Sequence, residues 1–234
     1  MKRLNPILGI SGIVLVVLNF FIISQFGLME SRWLRVISIF LCGIIFIKVC
    51  KRNEAFLLLG FLLLLLADIL MLNYEDPLFK KLTFGAVILA YVAFILHVRP
   101  FVKNLKANFF QKVLFALVLA INSIMLFLLV DMVEGGMDDD THTLLFFLYG
   151  FAMICLMIFA YSFNHRYSNR ASFFFVCAVL GLIFSDISGF ISYYLKVEEF
   201  YYPDRLFYIL GLLSLVKFSD LDTSEGLQYS EDML

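Results

Sequence analysis

Residues 62–72 read LLLLLADILML, a continuous apolar run with a single carboxylate, Asp68, near its middle. Extended back to Ala55, the run supplies the roughly 20 apolar residues that a helix needs to cross a hydrocarbon core of about 30 Å. Working outward, further runs bounded by charged clusters follow in both directions. They predict eight spans, at 6–28, 33–50, 55–74, 81–99, 109–131, 143–163, 172–195 and 200–218. With 62% hydrophobic and 16% charged residues, and a mean hydropathy of +0.95, the chain carries more apolar surface than a soluble core can hide. The runs are long and unbroken rather than ten-residue alternating strands, which excludes a barrel. The expected fold is therefore an all-α polytopic membrane helix bundle: one transmembrane domain over 1–218, then a polar tail over 219–234.

Alternate connections differ in Lys/Arg content, which orients the chain. One side collects Lys2, Arg3, Lys48, Lys51, Arg52, Arg99, Lys103, Lys106, Lys112, Arg166, Arg170 and Lys217; the other has Arg32, Arg35, Lys80, Lys81, Lys196 and Arg205. The twelve-to-six bias places both termini in the cytoplasm of a multi-pass cell-membrane protein. The acidic stretch 131–142, free of Lys and Arg, then lies outside. The run after Met1-Lys2-Arg3 is too long for a signal-peptide core and has no small-residue cleavage site, so it reads as a retained span. A net charge of −1 and the lack of a basic run argue against nucleic acid as a partner. Cys42, Cys50, Cys155 and Cys177 form no CxxC pair or metal spacing. His97, His142 and His165 fall at or near span ends, where solvated or interfacial roles are expected, so neither a metal nor another cofactor is called for.

A second intramembrane carboxylate sits in 178–190, AVLGLIFSDISGF, as Asp186. A carboxyl at bilayer depth is costly unless it is protonated, paired or facing a wet cavity, and so marks a functional site by default. Spans three and seven run in the same direction. Asp68 and Asp186 each lie about 14–15 residues from the cytoplasmic end, or some 20 Å deep at about 1.5 Å per residue. Ala67-Asp68-Ile69 and Ser185-Asp186-Ile187 occupy matching places in two four-helix halves, the pattern of a parallel repeat. If neighbours, the two carboxyls share one outward cavity, and repulsion plus desolvation raises one pKa, giving an acid and a base together. Ser185, Asn19, Tyr91, Asn122 and Tyr149 are polar groups available to line it. The structural alternative is that each bonds a neighbouring helix.

These features resemble the YhhN family of membrane proteins, which includes lysoplasmalogenases, over nearly the whole chain. Asp68 in LADIL is similar to the family's Gly-Asp-x-x-Leu motif with Ala67 in place of Gly, and Phe184-Ser185-Asp186 to its Ser-Asp motif. Tyr149, Met153, Met157, Ala160 and Arg166 are similar to its pattern in span six, and Tyr208 to its late Tyr. The chain departs from the family in span four, with Tyr91 where a His is usual; in span eight, with Leu212 and no Gln near Tyr208; and in span two, which lacks Lys-Pro and has Arg35 nearest.

The resemblance implies cleavage of the vinyl ether bond of a lysoplasmalogen, a lysophospholipid substrate taken from the membrane lipids. Vinyl ether hydrolysis protonates a carbon to give an oxocarbenium-like cation that water captures, and two carboxyls can serve as acid and as base. Asp68 and Asp186 are the expected catalytic pair. The alternative is a small-molecule or proton-coupled transporter with paired aspartates. On the charge bias, a cysteine placed at Gly136 should be labelled by an impermeant reagent on intact cells, and a reporter fused after Leu234 should be active in the cytoplasm. Labelling that requires permeabilisation would reverse the orientation.

Overall fold

The computed structural model describes residues 4–50, 54–102 and 139–221, with isolated helical positions at 119–120, 123–124, 127–128 and 130. Among the described residues there are seven α-helices and no strands: α1 (Leu4–Gln25), α2 (Leu28–Val49), α3 (Ala55–Leu70), α4 (Pro77–Val102), α5 (Asp140–Tyr167), α6 (Arg170–Tyr194) and α7 (Tyr201–Leu221). Short 3-10 turns at Met71–Asn73 and Glu198–Phe200 follow α3 and precede α7. The expected span over 109–131 lies mostly outside the described residues.

Each sharp boundary has a local cause. Asp76 precedes Pro77 and accepts from the Leu78 backbone N–H at 2.8 Å, capping α4 where proline lacks a donor. Asn169 and Ser172 form a reciprocal capping box at the start of α6. Ser168 and Lys196 take positive φ, 45° and 56°, just past the ends of α5 and α6, the left-handed step that closes a helix. Asp139 accepts from the His142 backbone N–H at 2.9 Å and from the Lys81 ammonium, and the Lys81 bond chiefly holds its carboxyl below the usual range. The stability this contributes is present above the ordinary carboxylate pKa and fades as pH falls through the lowered one.

Five helical segments are long and apolar enough to cross a membrane: Leu8–Gln25, Ala55–Asn73, Pro77–Val102, Asp140–Tyr167 and Arg170–Tyr194. Helices α2 and α7 are as long, at 22 and 21 residues, but carry Glu30, Arg32, Arg35 and Lys48, and Asp204, Arg205, Lys217 and Asp220. Several of these charges are buried: Arg32, Arg35, Asp204 and Arg205, together with Lys80 of α4. Four of the six basic residues assigned from sequence to the sparser side are therefore interior helix residues rather than loop charges. Of the other two, Lys81 lies half-buried in the second turn of α4 and only Lys196 stands in a connection.

The chain forms two compact units, residues 1–58 with 167–234 and residues 59–166. The division cuts across the two expected sequence halves instead of running between them. In the first unit α7 packs along α6 and also touches α1 and α2. The pairs Phe175–Phe218, Gly181–Gly211, Phe184–Phe207 and Ser185–Asp204 run in opposite senses, so α6 and α7 are antiparallel. At the other end of the same unit, Glu54 Oε2 accepts from Ser219 Oγ at 2.8 Å, tying the start of α3 to the last turn of α7. That last turn of α7 continues to Leu221.

In the second unit, Phe84 meets His142, Phe146 and Tyr149, while Phe101 meets Phe163 and accepts from Arg166 Nη1 at 2.9 Å. Both series ascend together, so α4 and α5 run parallel.

Gly181 and Gly211 set the α6–α7 distance. A Cβ on Gly181 would lie 2.7 Å from the Gly211 Cα and N and 2.8 Å from the Phe207 carbonyl, all backbone atoms that cannot swing aside. Gly85, by contrast, has nothing within 4 Å of its would-be Cβ. Gly181→Ala should destabilise the detergent-solubilised protein by about 1–3 kcal/mol, the usual range for overpacking. Gly85→Ala should be neutral or gain up to about 1 kcal/mol from helix propensity. Equal thermal unfolding of the two variants would contradict the close packing.

Candidate functional site

Asp68 lies two residues before the end of α3 and is 3% exposed, within a helix that carries no other charged residue. Asp186 is half-buried in α6, which continues unbroken through it to Tyr194. Asp68 belongs to the unit of residues 59–166 and Asp186 to the other unit.

The remaining expected site residues divide the same way. Tyr91 is fully buried, and its ring stacks on that of Tyr149 with centroids 6.1 Å apart and planes 12° from parallel. The two tyrosines are brought together in the unit that holds Asp68. His142, expected at a solvated span end, is instead fully buried against Phe84, because Asp139 fixes the first turn of α5 and the aromatic cluster closes over it. In the other unit Asn19 links α1 to α2, its Nδ2 donating to the Leu15 carbonyl at 2.8 Å and to Ser38 Oγ at 3.1 Å. Asn19 Oδ1 is buried with no hydrogen-bond partner among the described residues. Asn122 lies outside the described residues.

Ser185 does not stand open beside Asp186. Its hydroxyl donates to Asp204 Oδ1 at 2.5 Å, and Asp204 is the centre of a buried network that reading the spans from sequence missed. Arg35 Nη1 of α2 reaches both Asp204 oxygens, at 3.0 and 3.3 Å, and the Arg35 guanidinium lies 3.9 Å above the centre of the Tyr208 ring. Arg205 Nη1 donates to Asp204 Oδ2, while its Nη2 donates to Ser31 Oγ at 3.2 Å. Asp204 and Arg205 are each 2% exposed. The Tyr201 hydroxyl bonds Ser192 and lies within the fields of Arg32, Arg205 and Asp204, which places Arg32 at the same end of the unit.

The local sequence builds this arrangement. Arg32 and Arg35 are three apart, on one face of α2, and Ser31 precedes them. The α6 serines Ser185, Ser188 and Ser192 are all buried at spacings that share a face. Gly189 lies between them, where a Cβ would still sit 3.7 Å from the Asp204 carboxyl. The missed signal was available: an Arg-x-x-Arg pair early in one span, an Asp-Arg pair early in another and a serine-rich face in a third. The charge-bias rule drew these basic residues into the connections because they stand near span ends.

Chemically, the network offers guanidinium donors, hydroxyls and one carboxylate in a poorly solvated setting. Among the described residues no group of three or more His, Cys, Asp or Glu is placed to hold a metal ion.

Asp204→Asn removes the anion between two buried guanidinium groups, and breaking a buried pair in this way costs about 3–5 kcal/mol. Ser185→Ala removes one donor from a carboxylate that keeps its other bonds and should cost about 1–3 kcal/mol. Denaturant or thermal unfolding in detergent should rank them in that order; an Asp204→Asn protein as stable as wild type would show that the carboxylate does not hold the network together.

Protein-family models, curated proteins and solved structures were each compared with this chain, and none matches it.

Proposed function

We propose that the protein is a membrane-embedded lipid hydrolase, lysoplasmalogenase-like, that cleaves the vinyl ether bond of a lyso-ether phospholipid. The observation that carries the reading is Asp68, a carboxyl buried within an otherwise uncharged apolar helix, where a charge has a cost that function most readily explains. Asp186, half-buried in α6, is the proposed partner. The YhhN-like motifs around both aspartates support the same assignment. So does the lipid-like setting, because a single-chain ether lipid can enter between helices while its head group stays at the interface.

In the proposed reaction one aspartic acid donates its proton to the outer carbon of the C=C–O unit, leaving an oxocarbenium ion at the carbon next to oxygen. The other carboxylate takes a proton from water as that water attacks the cation. The resulting hemiacetal collapses, its hydroxyl proton passing to the departing ether oxygen, to give a fatty aldehyde and a glycerophospho-alcohol. One water is consumed, and both carboxyls regain their starting states once the base returns its proton to the acid. We extend the proposal to the membrane arrangement: α2 and α7 also cross the bilayer with their charges turned inward, making eight spans with both termini cytoplasmic.

Asp68→Asn and Asp186→Asn keep size and hydrogen bonding but remove the titratable proton. General acid–base groups contribute about 10²–10⁴ in rate, so each folded variant should lose at least about a hundredfold in lysoplasmalogen hydrolysis. The double variant should be little worse than either single one, since effects within one catalytic unit are not additive. Near-wild-type turnover by a folded variant would remove that aspartate from the mechanism. Wild-type inactivity on every lyso-lipid tested would favour a carrier instead.

A further inference from the structure

We propose that one face of α2, from Trp33 to Ile47, is a contact surface for the acyl chains of the bilayer, and that Trp33 marks the depth at which the helix enters them. This rests on the membrane arrangement in which α2 crosses the bilayer, and not on the hydrolysis assigned to the aspartates.

The two faces of α2 are the reverse of what water selects. Between residues 31 and 47 the exposed residues are Trp33, Ile37, Phe40, Leu41, Ile44 and Ile47, all apolar and each at least 42% exposed. They recur at i, i+4, i+7, i+8, i+11 and i+14, which is one stripe of a helix. The buried residues of the same stretch include Ser31, Arg32, Arg35 and Ser38. A helix at the surface of a water-soluble protein turns its apolar stripe inward and its charges outward. α2 does the opposite, which is the arrangement hydrocarbon favours, because there it is the charged side chain that must face the bundle interior.

The length of the stripe fits the same partner. The exposed charges that bracket it are Glu30 in the first turn and Lys48 in the last. Residues 30 and 48 are 18 apart, or about 27 Å at about 1.5 Å per residue, against a hydrocarbon core of about 30 Å. Charge therefore appears on this face only where head groups and water begin.

The stripe also continues a surface of known character. α1 packs on α2, contains one of the five segments long and apolar enough to cross a membrane, and exposes Ile10, Ile13, Val14, Val17, Leu18 and Phe21. By contrast α7, which packs on α1, α2 and α6, exposes only Leu210 among its large apolar residues.

Trp33 is the single tryptophan of the chain. It stands five residues after Leu28, about 8 Å into α2, and helical side chains lean toward the N-terminus of their helix. Its indole thus reaches toward the level of Glu30, where amphipathic rings collect at the membrane interface. Arg32 and Arg35 flank it in the same two turns, so the ring also gauges the depth of the Arg35–Asp204 contact.

The test reconstitutes the full-length protein into phosphatidylcholine liposomes whose acyl chains carry bromine either at carbons 6 and 7 or at carbons 11 and 12, and reads tryptophan emission against unbrominated liposomes. The wild type should lose at least about half its emission to the shallow bromines and less to the deep ones. Combining Trp33→Phe with Phe40→Trp moves the single indole seven residues, about 10 Å, toward the middle of the bilayer, and the order should reverse. Phe40 is 56% exposed, so its replacement leaves the packed interior alone. Shallow quenching of both proteins would show α2 lying along the surface. No quenching by either lipid would show the stripe covered by protein, a second copy included, and quenching by aqueous iodide in place of lipid would show it facing water. Each of these three results would overturn the proposal. Hydrolysis is read separately in unbrominated liposomes: the expected order without cleavage of any ether lipid would defeat the hydrolase reading alone, whereas cleavage without that order would defeat the lipid surface alone.

Discussion

A carboxylate buried between two guanidinium groups constrains everything around it. Asp204 lies in α7, takes Arg35 from α2 and Ser185 from α6, and neighbours Arg205, which reaches back to Ser31 of α2. Such a network adds little net stability over well-packed apolar residues, but any arrangement that strands one member is heavily penalised. It therefore selects one relative placement of three helices. It also accounts for the small hydroxyl residue at Ser185, which supplies the third donor to the carboxylate.

The same unit depends on a second close approach one to two turns away. Gly181 and Gly211 bring the α6 and α7 backbones together, as helices do in lipid, where apolar surface is not squeezed out of a membrane as it is out of water. The polar network and the glycine contact act along one helix pair, one choosing the register and the other the separation. In the other unit the work falls to aromatic rings, with Phe84 at the centre of a group that includes Tyr149, itself stacked on Tyr91. That group lies alongside parallel helices, which rely on side-chain packing where no tight hairpin joins them.

A chemical theme runs through the first unit as well. Its described charged residues lie toward both ends of the helices, with Arg32, Arg35, Asp204 and Arg205 near the starts of α2 and α7 and Lys48, Lys217 and Asp220 near their ends.

The helical character of the chain was legible in its residues. Apolar runs of about twenty, with charges only at their edges, permit little else in a bilayer because every backbone N–H and C=O must be satisfied within the segment. The helices α1, α3, α4, α5 and α6 were each visible this way, from runs expected to begin at 6, 55, 81, 143 and 172, as was the anomaly of Asp68 and Asp186. The fate of Arg32, Arg35 and Arg205 was not legible, because a basic residue near a span end looks the same in sequence whether it faces water or a carboxylate on another helix. Asp204 lies 169 positions from Arg35 and 19 from Ser185, separations over which no periodicity carries information. Hydrophobic pattern reports the medium each residue prefers and so determines the helices. Which buried charges meet is decided by the packing of whole helices against one another, and only the tertiary structure contains that.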